Sequence, residues 1–434
     1  MKSIFPLLIV VIQSLFASLT QAETYSIQEV ILENGLKILL LENHKSPAVT
    51  FQVWYRVGSR NEADGKSGLS HFLEHMVGPR DYSRIIEKNG GDSNAFTTTD
   101  HTVYFATMSR EKIGLAVELE ADRMANVLLD GAHFESEKKV IMEERRLGTD
   151  DNPISALTEL ISAVAYTVHP YRRPVIGWMG DIEKLSREDL ERYYRTYYVP
   201  NNAFIVVVGD FSTPEMLAKI RSAFGRIPRG PDPLRVKIEE PPQRGERRAT
   251  LKKEAELPYL LIYYHVPNVK HPDSYALDLL TWILAGGLSS RLYRDLVYQK
   301  RIADTVDVDY AGFSVDPTVF SVAAQVMPEK DPSEAERAID AMLQSIRTDL
   351  VSDRGLEKAK NQLEAALVFG QDSIYGQAMR IGYYESSARW QLMDSYLAGI
   401  RNVTADHILK VAKKYFDPDR RTVGTLIPIK EKSQ

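Results

Sequence analysis

The chain of 434 residues contains no cysteine, which excludes a disulfide framework, an acylated cysteine anchor and any thiolate metal site. It also lacks a strong charge of one sign: 54 Lys and Arg oppose 59 Asp and Glu, a formal charge of −5, or −6 once Lys2 is removed. Nothing in that balance favours nucleic acid, whose binding rests on clustered cations. After the N-terminus no run of about 20 apolar residues occurs, so no later segment is expected to span a bilayer.

The N-terminus itself is apolar. Lys2 precedes Ile4-Phe5-Pro6-Leu7-Leu8-Ile9-Val10-Val11-Ile12, and small residues lead to Thr20-Gln21-Ala22. This is the pattern of a cleavable secretory signal over residues 1–22, and Pro6, Gln13 and Ser14 interrupt it too early for a membrane anchor. A mature protein delivered across the inner membrane, to the periplasm, is the expectation. Its length exceeds what one core usually organises, which predicts two domains of roughly 200 residues.

The mature chain opens with strand text: Ile27 to Val30, Leu36 to Leu41 after the turn Glu33-Asn34-Gly35, and Val49 to Tyr55. From Ser67 the apolar residues Leu69, Phe72, Leu73 and Met76 recur at three and four, the helical period. A helix from Tyr82 to Lys88 stops at Asn89-Gly90-Gly91, and strand text resumes at Asn94-Ala95-Phe96-Thr97 and 101–105. Helices are predicted at 111–127, 134–148, 153–167 and 186–197, and a buried strand at Phe204 to Asp210. The stretch Arg226 to Arg247, rich in Pro, Gly and charge, reads as a linker between domains at 23–225 and 248–434.

Past the linker the order of elements begins again, with strand text at Tyr259 to Tyr264 and an apolar helix from Tyr275 to Ala285. Tyr197-Tyr198-Val199-Pro200 returns as Tyr415-Phe416-Asp417-Pro418, 218 residues later, each before an apolar strand. An internal duplication follows. The copies differ in chemistry: the second helix carries Leu279, Leu280, Thr281 and Ile283 where the first has polar groups.

Those groups are His71-Phe72-Leu73-Glu74-His75. On a helix, residues four apart lie on one face, about 5–6 Å between Cβ atoms, so the two imidazoles can share one ion. Glu74 lies beside that ion, where a carboxylate can take a proton from water. A catalytic zinc takes three protein ligands and keeps an open position, and without cysteine a carboxylate is the available third type. The helix from Phe134 to Leu147 offers Glu135, Glu137, Glu143 and Glu144. Glu137 and Glu144 share a face, which could bring a ligand and a supporting carboxylate to the ion, although periodicity alone favours a solvated surface.

The pentapeptide has the inverted zinc motif H-x-x-E-H. With Gly68-Leu69-Ser70, Ser83 to Gly91, Asn94-Ala95-Phe96-Thr97, Val140 to Arg146, His169-Pro170-Tyr171 and Pro174 to Gly177, the chain resembles the pitrilysin/insulinase family, in particular half-length members related to the mitochondrial processing peptidase. That resemblance implies an α+β fold of two similar domains, each a mainly antiparallel sheet with helices packed on it. It implies one Zn²⁺ per chain held by His71, His75 and Glu144, with Glu74 as general base and Glu137 as a supporting carboxylate. Peptide substrate is expected to add as a strand near Asn94, Ala95 and Phe96.

Two departures accompany it. The family usually carries a longer segment than Met76 to Tyr82 after the motif. It also carries an Arg and a Tyr seven apart in the second domain, which grip the substrate carbonyl; alignment through Gly287 to Leu292 places Val297 and Asp304 there. Arg291 and Tyr298 are also seven apart but fall outside that alignment, and Arg291 is assigned to its own helix. The resemblance therefore implies a heterodimer in which a homologous metal-free subunit supplies the pair and closes the chamber. The alternative is a noncatalytic peptide-binding or assembly subunit of the same fold.

Overall fold

The computed structural model describes residues 26–77, 81–126 and 129–429; the signal read at 1–22 lies outside them. Six strands, β1 (Gln28–Ile31), β2 (Lys37–Glu42), β3 (Ala48–Tyr55), β4 (Asp92–Thr97), β5 (Thr102–Ser109) and β6 (Ala203–Gly209), form one sheet in the order β1-β2-β6-β3-β5-β4. Five more, β7 (Arg247–Glu254), β8 (Tyr259–Val266), β9 (Ala303–Tyr310), β10 (Thr318–Val326) and β11 (Arg421–Ile429), form a second in the order β7-β11-β8-β10-β9. The central strand β6 is apolar and buried throughout its length, as a strand covered on both faces must be.

Without β1 the two orders are the same. In each sheet the first pair, β2 with β6 and β7 with β11, is parallel and the remaining neighbours are antiparallel. The repeated landmark occupies matching places: Pro200 and Pro418 each open a single 3₁₀ turn that leads into β6 and β11. The duplication is thus a duplication of topology. The helix after β3, Leu69–Met76, corresponds to the helix after β8, Ser274–Ala285, whose Leu279, Leu280 and Ile283 are buried in core. Between Phe224 and Arg247 the chain forms no helix or strand.

The halves also exchange helices. Pro153–Ala165, from the first half, lays Leu157 and Ile161 on Leu261, Ala323 and Leu426 of the second sheet, and Arg247 donates to the carbonyls of Val164 and Ala165 at its end (3.0 and 2.6 Å). In return Ile374–Ser387 covers the first sheet, with Tyr383 edge-on to Trp54 (5.3 Å) and Arg56 donating to the Glu385 carboxylate (2.7 Å). A side chain at Gly382 would meet the Trp54 ring at 2.1 Å, so glycine permits that approach. His101 is buried in this seam, its Nδ1 3.1 Å from the Ser386 hydroxyl. One core cluster consequently runs through both halves, from Leu39 and Phe204 to Leu280 and Val423.

Candidate metal centre

Helix Leu69–Met76 buries Leu69, Phe72, Leu73 and Met76 against the first sheet's core and turns His71, Glu74 and His75 outward. Its start is defined by a close backbone crossing. Gly68 is left-handed (φ 91°), and a Cβ there would lie 2.7 Å from the Ile176 carbonyl oxygen. The motif glycine and the Pro174 to Gly177 stretch, separate landmarks in the sequence, are therefore two sides of one contact.

The second helix, Gly131–Arg145, runs beside the first, with Phe134 stacked on Phe72 at 5.0 Å. Arg145 anchors its end by donating to the Gly177 carbonyl (2.6 Å) and to both oxygens of Glu159 (2.9 Å each). Immediately afterwards the helix widens, the Asp151 amide reaching back to the Arg146 carbonyl, a local device common at functional sites. Glu144 lies on this anchored turn.

One potential ligand atom from each of His71, His75 and Glu144 lies within 4.8 Å of the other two, the one such grouping among the described residues. Around a tetrahedral zinc with bonds of about 2.1 Å, ligand atoms sit about 3.4 Å apart; His75 Nε2 and Glu144 Oε2 are at 3.5 Å. The other ring nitrogen of His75, Nδ1, donates to Glu137 Oε1 at 2.9 Å, the orienting contact that a ligand histidine ordinarily has. The His71 and His75 rings are 4.7 Å apart. Burial and, secondarily, the neighbouring His75 lower the His71 pKa to about 4, so its imidazole is neutral, the ligand form. Its Nδ1 is buried and has no hydrogen-bond partner among the described residues. The donor set thus fits a zinc ion.

Glu74 sits next to this set. Burial pushes its carboxyl above the usual carboxylate range, partly offset by Thr97, whose hydroxyl donates to Glu74 Oε2 at 2.5 Å. A carboxylate so placed is a stronger base than one in water. A cleft of about 790 Å³ opens here, with Glu74, His75, Tyr82, Ala95, Tyr104 and Arg123 among its walls.

Of the strand residues singled out in the sequence, Asn94 and Ala95 border the cleft. Strand alternation turns the Phe96 side chain to the face opposite Ala95, edge-on to Trp54 at 6.2 Å. Among the described residues β4 pairs only with β5 and forms the edge of its sheet. Val297 packs on the second half's core and Asp304 is exposed on β9; neither borders the cleft. Arg291 is half-buried near Arg294 and Asp349.

Sequence reading did not single out Thr97, Arg123 or Arg145 as parts of this arrangement. Thr97 closes the segment Asn94-Ala95-Phe96-Thr97 and Arg145 follows Glu144, but their contacts cross long stretches of chain and leave no local period.

The family model described as Insulinase (Peptidase family M16) matches residues 37–178, and that described as Peptidase M16 inactive domain matches residues 184–363. The first span holds every group of the site, and the second holds the apolar counterpart helix. The zinc protease PqqE of Helicobacter pylori is 31% identical over 416 residues, covering 92% of this chain and 93% of that one. A crystal structure of a protease from Helicobacter pylori agrees with TM-score 0.88 at 30% identity, over 93% of this chain and 100% of that one. An M16-like peptidase from Alicyclobacillus acidocaldarius agrees in fold with TM-score 0.82 at 20% identity, over 93% and 98%.

Proposed function

Because the chain belongs to the M16 family, the pitrilysin/insulinase peptidases, in its half-length form, we propose that it is a zinc-dependent endopeptidase for peptides or small unfolded proteins. The observation that carries this reading is the convergence of His71, His75 and Glu144 beside Glu74 at an open cleft.

His71, His75 and Glu144 would hold one zinc per chain, and Glu137 would fix the ring of His75. When bound, zinc supplies Lewis acidity, drawing electron density from a scissile carbonyl and making water easier to deprotonate. Glu74 takes the proton of the attacking water and returns it to the departing amine, so its carboxyl ends as it began. Thr97 restrains one oxygen of Glu74 during that transfer. The free edge of β4 takes the peptide as an added strand, its backbone paired and side chains alternating toward and away from the cleft.

We further infer a heterodimer. Val297 and Asp304 cannot donate to a carbonyl as an Arg and a Tyr do, so the oxyanion donors would come from a homologous metal-free subunit. The leader at 1–22 would direct the protein to the periplasm.

The test is zinc content and turnover of the purified protein with its partner. About one zinc per chain is expected, and Glu74→Gln should retain the metal while abolishing peptide cleavage. Protein prepared without chelator that holds no zinc would turn the reading to a noncatalytic peptide-binding subunit.

A further inference from the structure

Helix Leu69–Met76 has eight residues, well short of the roughly 12–15 at which a helix becomes marginally stable alone, yet it must keep two histidines and a glutamate in one register. Its ends leave amides and carbonyls without internal partners, and its dipole is positive at the start and negative at the finish. A carboxyl group and a guanidinium group from outside the helix are buried against those two ends.

At the start is Glu62, whose two carboxylate oxygens accept the amides of Gly68 and Ser70 at 2.8 Å each. At the finish is Arg123, on the helix Ile113–Ala125. Its Nη1 donates to the carbonyl of Val77, the residue that closes the motif helix. Arg123 is itself gripped: Nε donates to the buried Glu120 at 3.0 Å, and the guanidinium lies over the Tyr104 and Tyr82 rings at 4.0 and 4.4 Å from their centres. Tyr194 donates to the Arg123 carbonyl at 2.9 Å, tying down the backbone beneath. Neither Glu62 nor Arg123 belongs to the donor set.

We propose that Glu62 and Arg123 are positioning residues of the metal centre, which from opposite ends hold helix Leu69–Met76 at one height and one rotation. The proposal rests on the zinc reading above. His71 and His75 share one helix and Glu144 stands on another, so a slip of the motif helix moves two ligands together against the third. Loosening either end should therefore appear as weaker metal binding.

Removing Arg123 alone would strand the buried Glu120, so the informative variant is E120Q/R123M, which removes both charges together. E62Q and R123K, which each keep part of the hydrogen bonding, serve should the double variant fold poorly. Zinc affinity is read by competition with a chromophoric chelator, and ligand geometry by the absorption spectrum of the cobalt-substituted protein. E120Q/R123M is expected to bind zinc 10- to 100-fold more weakly, the usual effect of removing an orienting contact, with an altered cobalt spectrum and lower kcat. R123K and E62Q should fall between it and the wild type. Hydrogen exchange on the metal-free proteins reads the clamp without zinc: amides of residues 72–77 should exchange at least tenfold faster in E120Q/R123M. A wild type without zinc would sink the functional reading, and the exchange result would still judge the clamp. Unchanged exchange in the double variant, or wild-type zinc affinity and cobalt spectrum, overturns the proposal.

Discussion

The Thr97 hydroxyl donates to Glu74 Oε2 at 2.5 Å, joining the edge strand to the motif helix. Through this contact the strand proposed to receive substrate also aims the group proposed to move its proton. Thr97→Val preserves shape and removes the donor. It should lower kcat about tenfold, on the order of 1.4 kcal/mol in the barrier, while zinc content stays at the wild-type level. A variant with unaltered kcat would remove Thr97 from the chemistry.

Glu137 accepts from His75 Nδ1 at 2.9 Å while the other ring nitrogen faces Glu144. Its carboxylate therefore sets the ring's orientation and its tautomer. Glu137→Gln keeps an acceptor but not the charge, and Glu137→Ala keeps neither. Zinc affinity should fall about tenfold in the first and toward a hundredfold in the second, measured by chelator competition. Equal affinity in all three proteins would show that His75 needs no such support.

The histidines and the base were legible in the sequence because three residues within one helical turn, His71, Glu74 and His75, must share a face. The duplication was legible because strand text, a helix and a Tyr-x-x-Pro landmark recur in order. Glu144 was not legible from periodicity: on a helix that also carries Glu135, Glu137 and Glu143, charge alone reads as a wet surface, and only family resemblance selected it. The exchange of helices was out of reach for a different reason. The pattern of Pro153–Ala165 says which face is apolar but not which sheet will receive it, and here the sheet lies on the far side of the linker. Glu62 and Arg123 act on backbone amides and carbonyls, which no sequence pattern marks.

The exchange couples the halves. Leu157 is fully buried on the second sheet although it belongs to the first half. Leu157→Ala should cost about 2–5 kcal/mol, and both halves should lose it together. Single-tryptophan reporters at Trp54 and Trp282, in different halves, should unfold at one shared denaturant midpoint that moves with the substitution. Two separated midpoints, with only one moved, would show that the exchanged helices do not bind the halves into one cooperative unit.

Asp278, on the counterpart helix Ser274–Ala285, accepts from the Tyr396 hydroxyl at 2.7 Å. Burial pushes its carboxyl up to about 7, with Tyr396 opposing and Asp309 adding to the rise. In the unfolded chain the same group ionises near 3.9. Between those values the folded protein holds the proton and the unfolded one does not. The contribution is therefore complete below about pH 4 and lost as pH rises through about 7. With Asp278 only half-buried by surface exposure, the loss should amount to a few kcal/mol at most, roughly 1.4 for each pH unit of separation before screening is discounted. Asp278→Asn keeps an acceptor for Tyr396 and cannot ionise. Its Tm should exceed that of the wild type at pH 8, and the gap should narrow toward pH 5. A gap that stays constant over this range would mean that Asp278 does not carry a proton in the folded protein.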